Sequence, residues 1–172
     1  MNNEIRIALT GFMGVGKSSV ARHLAHRIKS KRIDLDHYIE ERTGHTIAEI
    51  IDREGLETYR EIETNSLKEL LSRLEVRILS LGGGTWTVAE NRELLKEHHY
   101  TSVWLEATFE HSWLNITFSR KDRPLARDKA KARALYEERQ KIYCLADWHF
   151  IVRPEHTSYD VAREIAEEIF AD

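Results

Sequence analysis

Residues Gly11–Ser18, which read GFMGVGKS, fit the pattern G-x-x-x-x-G-K-[ST] of a phosphate-binding loop. In such a loop the backbone N–H groups surround the phosphates, the lysine reaches the β- and γ-phosphates, and the final hydroxyl ligates Mg²⁺. We therefore predict that Lys17 and Ser18 contact a nucleotide and its metal ion. The other residues predicted to contact the nucleotide in this loop are Gly14, Val15, Gly16 and Ser19.

The residues on either side of this loop predict the elements that position it. Ile5–Leu9 is a short apolar run typical of a buried strand, and Ser19–Lys29 carries Val20, Leu24 and Ile28 at helical spacing. A helix N-terminus presents free N–H groups and a partial positive charge. The order strand, glycine loop, helix therefore places the loop where an anionic phosphate binds.

Apolar runs and helical segments alternate along the rest of the chain. Further strands are predicted at Arg32–Leu35, Val76–Leu81, Ser102–Leu105 and His149–Val152. Further helices are predicted at His37–Arg42, Ile47–Arg53, Leu56–Leu74, Ala89–His98, Phe109–Phe118, Ala130–Leu145 and Tyr159–Ala171. This alternation is typical of an α/β fold with a parallel sheet between helices, in which ligands bind at the carboxyl ends of the strands.

Length and composition limit the class of protein. The 172 residues suit a single domain, residues 1–172, and 41% hydrophobic with 32% charged residues is typical of a globular protein in water. The net charge of −3 gives no reason to expect nucleic acid, and no apolar run approaches the ~20 residues of a membrane span. Because apolar residues of the first predicted strand begin at Ile5, we expect no signal peptide. We expect a cytoplasmic monomer, with the single cysteine, Cys144, in the core.

Two carboxylates close the second predicted strand. Asp34 and Asp36 lie two residues apart, and residues with that spacing on a strand point to the same face. Both could therefore face the bound nucleotide. One could support Mg²⁺, and the other could accept a proton from an attacking hydroxyl.

Three consecutive glycines, Gly82, Gly83 and Gly84, follow the predicted strand Val76–Leu81. Glycine lets the backbone approach a ligand closely and reach positive φ, and a simple turn seldom needs three of them. We predict a pocket lined by backbone at this end of the sheet.

Two arginines in helical segments are candidates for binding the carboxylate of a ligand. Arg60 and Arg139 could each hold a carboxylate through two hydrogen bonds, and Glu63, one helical turn after Arg60, could orient it. Composition alone does not distinguish either arginine from a solvated helix residue.

A densely charged segment spans residues 118–129 and contains Pro124. A charge run is usually a solvated loop. In a kinase, a mobile loop that carries arginines can close over the phosphates, exclude water and neutralise charge in the transition state.

Taken in this order along the chain, these residues resemble the shikimate kinase family from the phosphate-binding loop to about Asp147. The resemblance is carried by Gly11–Ser18, Asp34-Leu35-Asp36, Arg60 with Glu63, Ser80-Leu81-Gly82-Gly83-Gly84, Arg123-Pro124-Leu125, and Arg139 before Tyr143. It implies phosphorylation of the shikimate 3-hydroxyl by ATP with Mg²⁺, on the route to aromatic amino acids. It also implies a five-stranded parallel sheet of order 2-3-1-4-5, like that of nucleoside-monophosphate kinases, with a lid.

The resemblance further implies roles for individual residues. Ser18 and Asp34 would place Mg²⁺, and Asp36 would contact the reacting hydroxyl within an acceptor-binding helical region at about residues 36–72. Arg123 would act from a lid at about residues 118–129. The remaining acceptor contacts implied are Arg60 and Arg139 on the carboxylate and Gly82, Gly83 and Gly84 along the ring. The residues implied to be catalytic are Lys17, Asp36 and Arg123.

The chain departs from the family pattern in three places, one of which is the lack of a proline between Arg139 and Tyr143. Trp86 is bulkier than the small or aliphatic residue that the resemblance predicts there, so we expect it to narrow the acceptor pocket. Ile116 lies near the position where the resemblance predicts an arginine stacked on adenine, and Arg120 could substitute for it.

Two alternatives remain open at this stage. The first is another small-molecule kinase resembling gluconate kinases, although the pair Arg60 and Arg139 beside the triple glycine favours a rigid carboxylated ring. The second is a nucleotide-binding regulatory protein. A guanine-specific switch should carry the motif N-K-x-D, which follows none of Asn65, Asn91 and Asn115.

Overall fold

Five parallel strands form the central sheet of the computed structural model, which describes residues 5–73 and 75–171. The strands are β1 (Arg6–Thr10), β2 (Arg32–Asp34), β3 (Ile78–Ser80), β4 (Tyr100–Glu106) and β5 (Trp148–Ile151). Their order in the sheet is β2-β3-β1-β4-β5, and every neighbouring pair is parallel. The α/β class and the sheet order 2-3-1-4-5 are therefore confirmed.

Eight α-helices connect and cover these strands in the described part of the chain. They are α1 (Lys17–Arg27), α2 (Leu35–Thr43), α3 (Ile47–Glu54), α4 (Leu56–Arg73), α5 (Ala89–Glu97), α6 (Phe109–Phe118), α7 (Lys129–Tyr143) and α8 (Ser158–Ile169). Two single turns of 3₁₀ helix lie at Thr85–Thr87 and Pro124–Ala126. None of these helices combines the length and apolar composition that crossing a bilayer would require. The predicted end of the fourth helix, Leu74, lies outside the described residues.

The hydrophobic core has two layers, one on each face of the sheet, because successive side chains along a strand point to opposite faces. In β1, Ile7 and Leu9 point into a layer formed with α1 and α8, whereas Ala8 points into the layer on the opposite face. The first layer also contains Val20, Leu24, Val161 and Ile165, and the second contains Leu67, Leu70, Leu79 and Tyr143. This packing fixes the direction of β1, and thus the place where the phosphate-binding loop leaves the sheet.

Helix α2 begins earlier than the sequence predicts. Strand β2 ends at Asp34, whose side chain caps α2 by accepting a hydrogen bond from the His37 N–H at 3.2 Å. Asp36 therefore lies in the first turn of a helix, and the prediction that Asp34 and Asp36 share one face of a strand is wrong. An aspartate at the N-cap favours the start of a helix, and here this overrides the extension of the strand to Leu35.

Cys144 is exposed, so the prediction that it is a core residue is also wrong. It lies directly after α7, where its backbone N–H closes the last helical turn on Gln140 O and its thiol donates to Lys141 O at 3.2 Å. The apolar residue that α7 buries at this end is Tyr143, one position earlier.

Candidate active site

The phosphate-binding loop joins β1 to α1 through glycines with positive φ. Gly14 has φ 78°, and a Cβ atom there would lie 2.5 Å from the Ser112 carbonyl oxygen. Gly16, with φ 102°, is the N-cap of α1 and offers no capping side chain. The N–H groups of the first turn of α1 are therefore left to an anion, as a phosphate-binding helix requires.

Lys17 is buried at the start of α1. Its Nζ donates to Gly11 O at 2.7 Å and to Phe12 O at 3.0 Å. Burial lowers the pKa of Lys17 from 10.5 to about 8, although the carboxylates of Asp36 and Asp34 favour the charged form. A phosphate beside this ammonium would raise the pKa of Lys17 again, because a nearby negative charge favours the protonated form.

A large cavity of about 630 Å³ opens in front of this loop, at the carboxyl ends of the strands. One wall is the loop and α1, and the opposite wall includes His111 and Asn115 of α6. The segment between β5 and α8, with Pro154 and His156, forms a third side. The cavity has room for a nucleotide with its phosphates on the loop.

Ser18 and Asp34 meet at the edge of this large cavity. The Ser18 hydroxyl donates a hydrogen bond to Asp34 Oδ2, which places a hydroxyl and a carboxylate side by side. Both are hard oxygen ligands of the kind that Mg²⁺ takes, with its remaining positions filled by water and phosphate oxygens. The donor chemistry at this point therefore fits Mg²⁺.

A small cavity of about 80 Å³ adjoins the large one and is bounded by the three glycines. Each glycine lies against a different side chain. A Cβ atom would lie 2.8 Å from Asp36 Oδ1 at Gly82, 3.3 Å from Arg139 Nη1 at Gly83, and 2.5 Å from Arg60 Cζ at Gly84. None of the three has positive φ. Close approach, rather than an unusual backbone conformation, requires glycine at Gly84, where the contact is tightest.

The orientation of Arg60 is fixed by a buried carboxylate. Arg60 Nη1 donates to Glu63 Oε1 at 2.8 Å, and Glu63 is fully buried. The hydroxyls of Tyr59 and Thr85 donate to Glu63 Oε2 at 3.1 and 2.8 Å. Burial, and then the nearby carboxylates, raise the pKa of Tyr59, which keeps its hydroxyl neutral and able to donate. Arg60 is thus held against a rigid network of α4.

Arg139 reaches the same small cavity from α7. It is 5% exposed, and burial lowers its pKa, whereas the adjacent Tyr143 favours its charge. The Tyr143 hydroxyl donates to Gly83 O at 2.5 Å, which fixes the glycine segment beside Arg139. Within the described residues, no carboxylate lies within ion-pair distance of Arg139. The guanidinium groups of Arg60 and Arg139 therefore line the same cavity, and of these two only Arg60 has an acidic partner among the described residues.

The two cavities join at Asp36 and the charged segment after α6. Lys121 Nζ lies 3.3 Å from Asp36 Oδ2, and the Tyr59 hydroxyl lies 3.4 Å from Asp36 Oδ1. Arg123 lines both cavities and donates to Lys121 O at 3.2 Å. Burial lowers the pKa of Arg123, and the Asp36 charge opposes that change. One carboxylate and two cations thus stand at the junction.

The predicted site residues all reach these cavities. The large cavity is lined by Gly14, Val15, Gly16, Lys17, Ser18, Ser19 and Asp34, the small one by Arg60, Gly84 and Arg139, and both by Asp36, Gly82, Gly83 and Arg123. Sequence reasoning missed His111, Asn115, Pro154, His156, Ile47, Ile51 and Lys121. Lys121 lies in the charged segment 118–129, but no local motif marks the others, because the sheet and its crossover helices bring them to the site from distant segments.

Trp86 lines neither cavity, so the prediction that it narrows the acceptor pocket is wrong. Its indole N–H donates to Ile142 O at 3.1 Å, and the ring is 5% exposed on the side of α5 and α7 away from the site. The 3₁₀ turn after the glycines points the ring into this packing. Ile116 is buried near Gly14, and the substitute considered for adenine stacking, Arg120, is exposed and lines neither cavity.

Comparison with known proteins agrees with this arrangement. The family model described as "Shikimate kinase" matches residues 13–170. A shikimate kinase of Streptococcus thermophilus is 38% identical over 161 residues, which cover 91% of this chain and 96% of that protein. The structure of a shikimate kinase from Acinetobacter baumannii in complex with shikimate superposes with a TM-score of 0.89 at 35% identity, over 99% of this chain and 96% of that one.

The solved shikimate kinase from Aquifex aeolicus superposes with a TM-score of 0.78 at 33% identity and covers 94% of each chain. These matches extend over nearly the whole sequence, including both cavities and the segment between α6 and α7. From its sequence, fold and site together, the chain belongs to the shikimate kinase family.

Proposed function

We propose that this kinase transfers the γ-phosphoryl group of ATP to the 3-hydroxyl of shikimate, a step in aromatic amino-acid biosynthesis. Membership of the family makes the chain an ATP-dependent kinase. The particular roles below rest on the contacts of its own residues. A monomeric state and a cytoplasmic location belong to the same proposal.

The large cavity would hold ATP with its phosphates on the N-terminus of α1. Lys17 would turn its ammonium toward the β- and γ-phosphates, where its charge offsets the charge that builds up during transfer. Ser18 and Asp34 would hold Mg²⁺. When bound, that ion neutralises charge on the β- and γ-phosphate oxygens and orients them for displacement.

The observation that carries the assignment of the acceptor is the convergence of Arg60 and Arg139 on the small cavity. Arg139 is buried without a carboxylate partner among the described residues, and a buried unpaired charge is costly. An acceptor carboxylate between the two guanidinium groups would relieve that cost through charge-assisted hydrogen bonds. The backbone of the three glycines forms the adjoining wall of the cavity, against which the ring of shikimate would pack.

Asp36 stands where the acceptor hydroxyl would meet the γ-phosphate. In the proposed reaction, the hydroxyl oxygen forms a bond to the γ-phosphorus and the bond from that phosphorus to the β,γ-bridging oxygen breaks. The hydroxyl proton passes to Asp36, and ADP leaves with the electron pair of the broken bond. Arg123 and Lys121 contact the junction from the lid and would stabilise the transferring group.

The direct test measures ADP formation by the purified protein with ATP and Mg²⁺, in the presence of shikimate, gluconate or no acceptor. Of the three conditions, we expect ADP formation only in the one with shikimate. In the phosphorus NMR spectrum of the product, the new resonance should be coupled to the proton at carbon 3. The Lys17→Ala variant controls for contaminating kinases. Phosphorylation of gluconate without phosphorylation of shikimate would overturn the proposal in favour of a gluconate kinase. Nucleotide binding with no phosphorylated acceptor would point to a regulatory protein.

A further inference from the structure

The lid is tied to the acceptor-binding helices by a bidentate ion pair. Arg127, between the 3₁₀ turn at 124–126 and α7, donates from Nη1 to Asp52 Oδ1 at 2.9 Å and from Nη2 to Asp52 Oδ2 at 2.7 Å. Asp52 belongs to α3, 75 residues earlier in the chain. Two parallel N–H···O bonds fix the relative orientation of the two groups as well as their distance.

A second carboxylate, on the lid itself, holds the guanidinium for this contact. Arg127 Nε donates to Asp122 Oδ1 at 3.1 Å, and Nη2 donates to Asp122 Oδ2 at 2.6 Å. All three nitrogens of the guanidinium are therefore engaged. The hydrogen bonds from Arg127 lower the pKa of both Asp52 and Asp122, so both stay charged near neutral pH.

The pair lies at the rim of the small cavity and not inside it. Ile51, next to Asp52, lines the cavity from α3, and Pro124 and Leu125 line it from the lid. Arg127 and Asp52 themselves line neither cavity. They can therefore act only by holding the two walls together.

We propose that Arg127 and Asp52 form a latch that holds the lid closed over the acceptor and thereby positions Arg123 and Lys121 at Asp36. The latch rests on the proposed function, because it acts on the lid of that site. Both side chains are about half exposed, at 47% and 48%. An exposed pair is weak and screened by salt, which suits a contact that must open in every turnover to release product.

A double-mutant cycle tests the latch with Asp52→Asn, Arg127→Gln and the combination of both. We expect each single change to lower kcat/KM for shikimate by about three- to tenfold, the scale of one bidentate surface pair. Because the two residues share one interaction, the double variant should lose no more than either single variant. ATP affinity without acceptor should stay unchanged, and Arg127→Lys should restore part of the loss.

The control is Lys68→Gln, which removes a pair of 2.5 Å with Glu90 between α4 and α5, away from both cavities. It should leave kcat/KM unchanged. Amide hydrogen exchange of residues 118–129 in the ADP-bound protein gives a readout independent of the acceptor, and it should speed up in Asp52→Asn and Arg127→Gln only. The latch would be overturned if the double variant lost the product of the two single losses in kcat/KM. It would also be overturned if amide exchange of residues 118–129 were unchanged in the single variants. Absence of shikimate turnover in the unmodified protein would instead contradict the proposed function.

Discussion

The guanidinium of Arg60 occupies the space that a side chain at Gly84 would need. A Cβ atom at Gly84 would lie 2.5 Å from Arg60 Cζ and in collision with its terminal nitrogens. Because Arg60 is held on its other side by the buried Glu63, it has little freedom to move away. The glycine thus sets the position of the arginine.

We therefore expect Gly84→Ala to displace Arg60 and to lower kcat/KM for shikimate by on the order of 10²-fold, the cost of misplacing a positioning group by about 1 Å. ATP affinity should change little, because Gly84 does not line the large cavity. Steady-state kinetics with each substrate varied in turn provide the measurement. The matched control is the same change in an Arg60→Ala background, where the guanidinium that Gly84→Ala would displace is absent. There Gly84→Ala should cost little more, and an equal loss in both backgrounds would contradict the specific role of Arg60.

Arg60 and Arg139 are expected to share one acceptor carboxylate. Replacing either by alanine should weaken acceptor binding by about 2–5 kcal/mol, because the anion is left partly unpaired in a desolvated site. The two losses should be non-additive, and Arg60→Lys should not restore binding, because an ammonium lacks the two-pronged geometry. Isothermal titration with shikimate checks both points. Normal phosphorylation of shikimate by both single variants would rule out the carboxylate clamp.

Asp36 is expected to accept the proton of the attacking hydroxyl. Asp36→Asn keeps the size of the side chain and should lower kcat by about 10²–10⁴-fold, the usual scale for the loss of a general base. ATP affinity should hardly change. Rapid-quench measurement of the chemical step separates this effect from product release. Unaltered turnover at saturation, combined with a strong loss of ATP binding, would assign Asp36 to the metal instead.

Arg123 is expected to act in the transition state more than in the ground state. Arg123→Ala should lower kcat far more than it weakens ATP binding in the absence of acceptor, because the charge that Arg123 offsets develops during transfer. Equilibrium nucleotide binding and kcat, measured on the same preparation, test this. If ATP binding weakened while kcat stayed normal, Arg123 would be only a ground-state contact.

Lys17 should make nucleotide binding depend on pH. With its pKa lowered to about 8 by burial, Lys17 is mostly neutral at pH 9, and bound phosphates should restore its charge. ATP binding near pH 8.5 should therefore take up a fraction of a proton, seen as a dependence of the calorimetric enthalpy on the buffer. Lys17→Met should abolish this uptake. Uptake that persists in the variant would assign the proton to another group.

The lowered pKa of Lys17 also makes the free energy of unfolding depend on pH. Between the native pKa of about 8 and the unfolded value of 10.5, the unfolded chain binds the proton that the native protein has lost. The contribution of Lys17 to the free energy of unfolding therefore rises with pH across this window and is least favourable below pH 8. Denaturant unfolding at pH 7.5 and pH 10 gives the free energy of unfolding at each pH. Between these two pH values it should change in favour of the folded state more in the protein than in Lys17→Met.

Features that depend on residues close together along the chain could be predicted from the sequence. The loop Gly11–Ser18 takes its shape from its own glycines and flanking elements. The alternation of apolar runs and helical segments predicted the parallel sheet and most helices to within a few residues. The sheet order and the roles of individual site residues were predicted from the resemblance to the shikimate kinase family, which rests on short motifs in a fixed order.

Contacts between groups that are distant along the chain depend on the packing of the whole fold. The tertiary structure placed Asp36 on a helix instead of a strand, turned Trp86 away from the acceptor, and paired each of the three glycines with a different side chain. It also brought Arg127 to Asp52 across 75 residues. Side-chain direction and long-range contact follow from how the elements pack, and no local pattern of residue types encodes that packing.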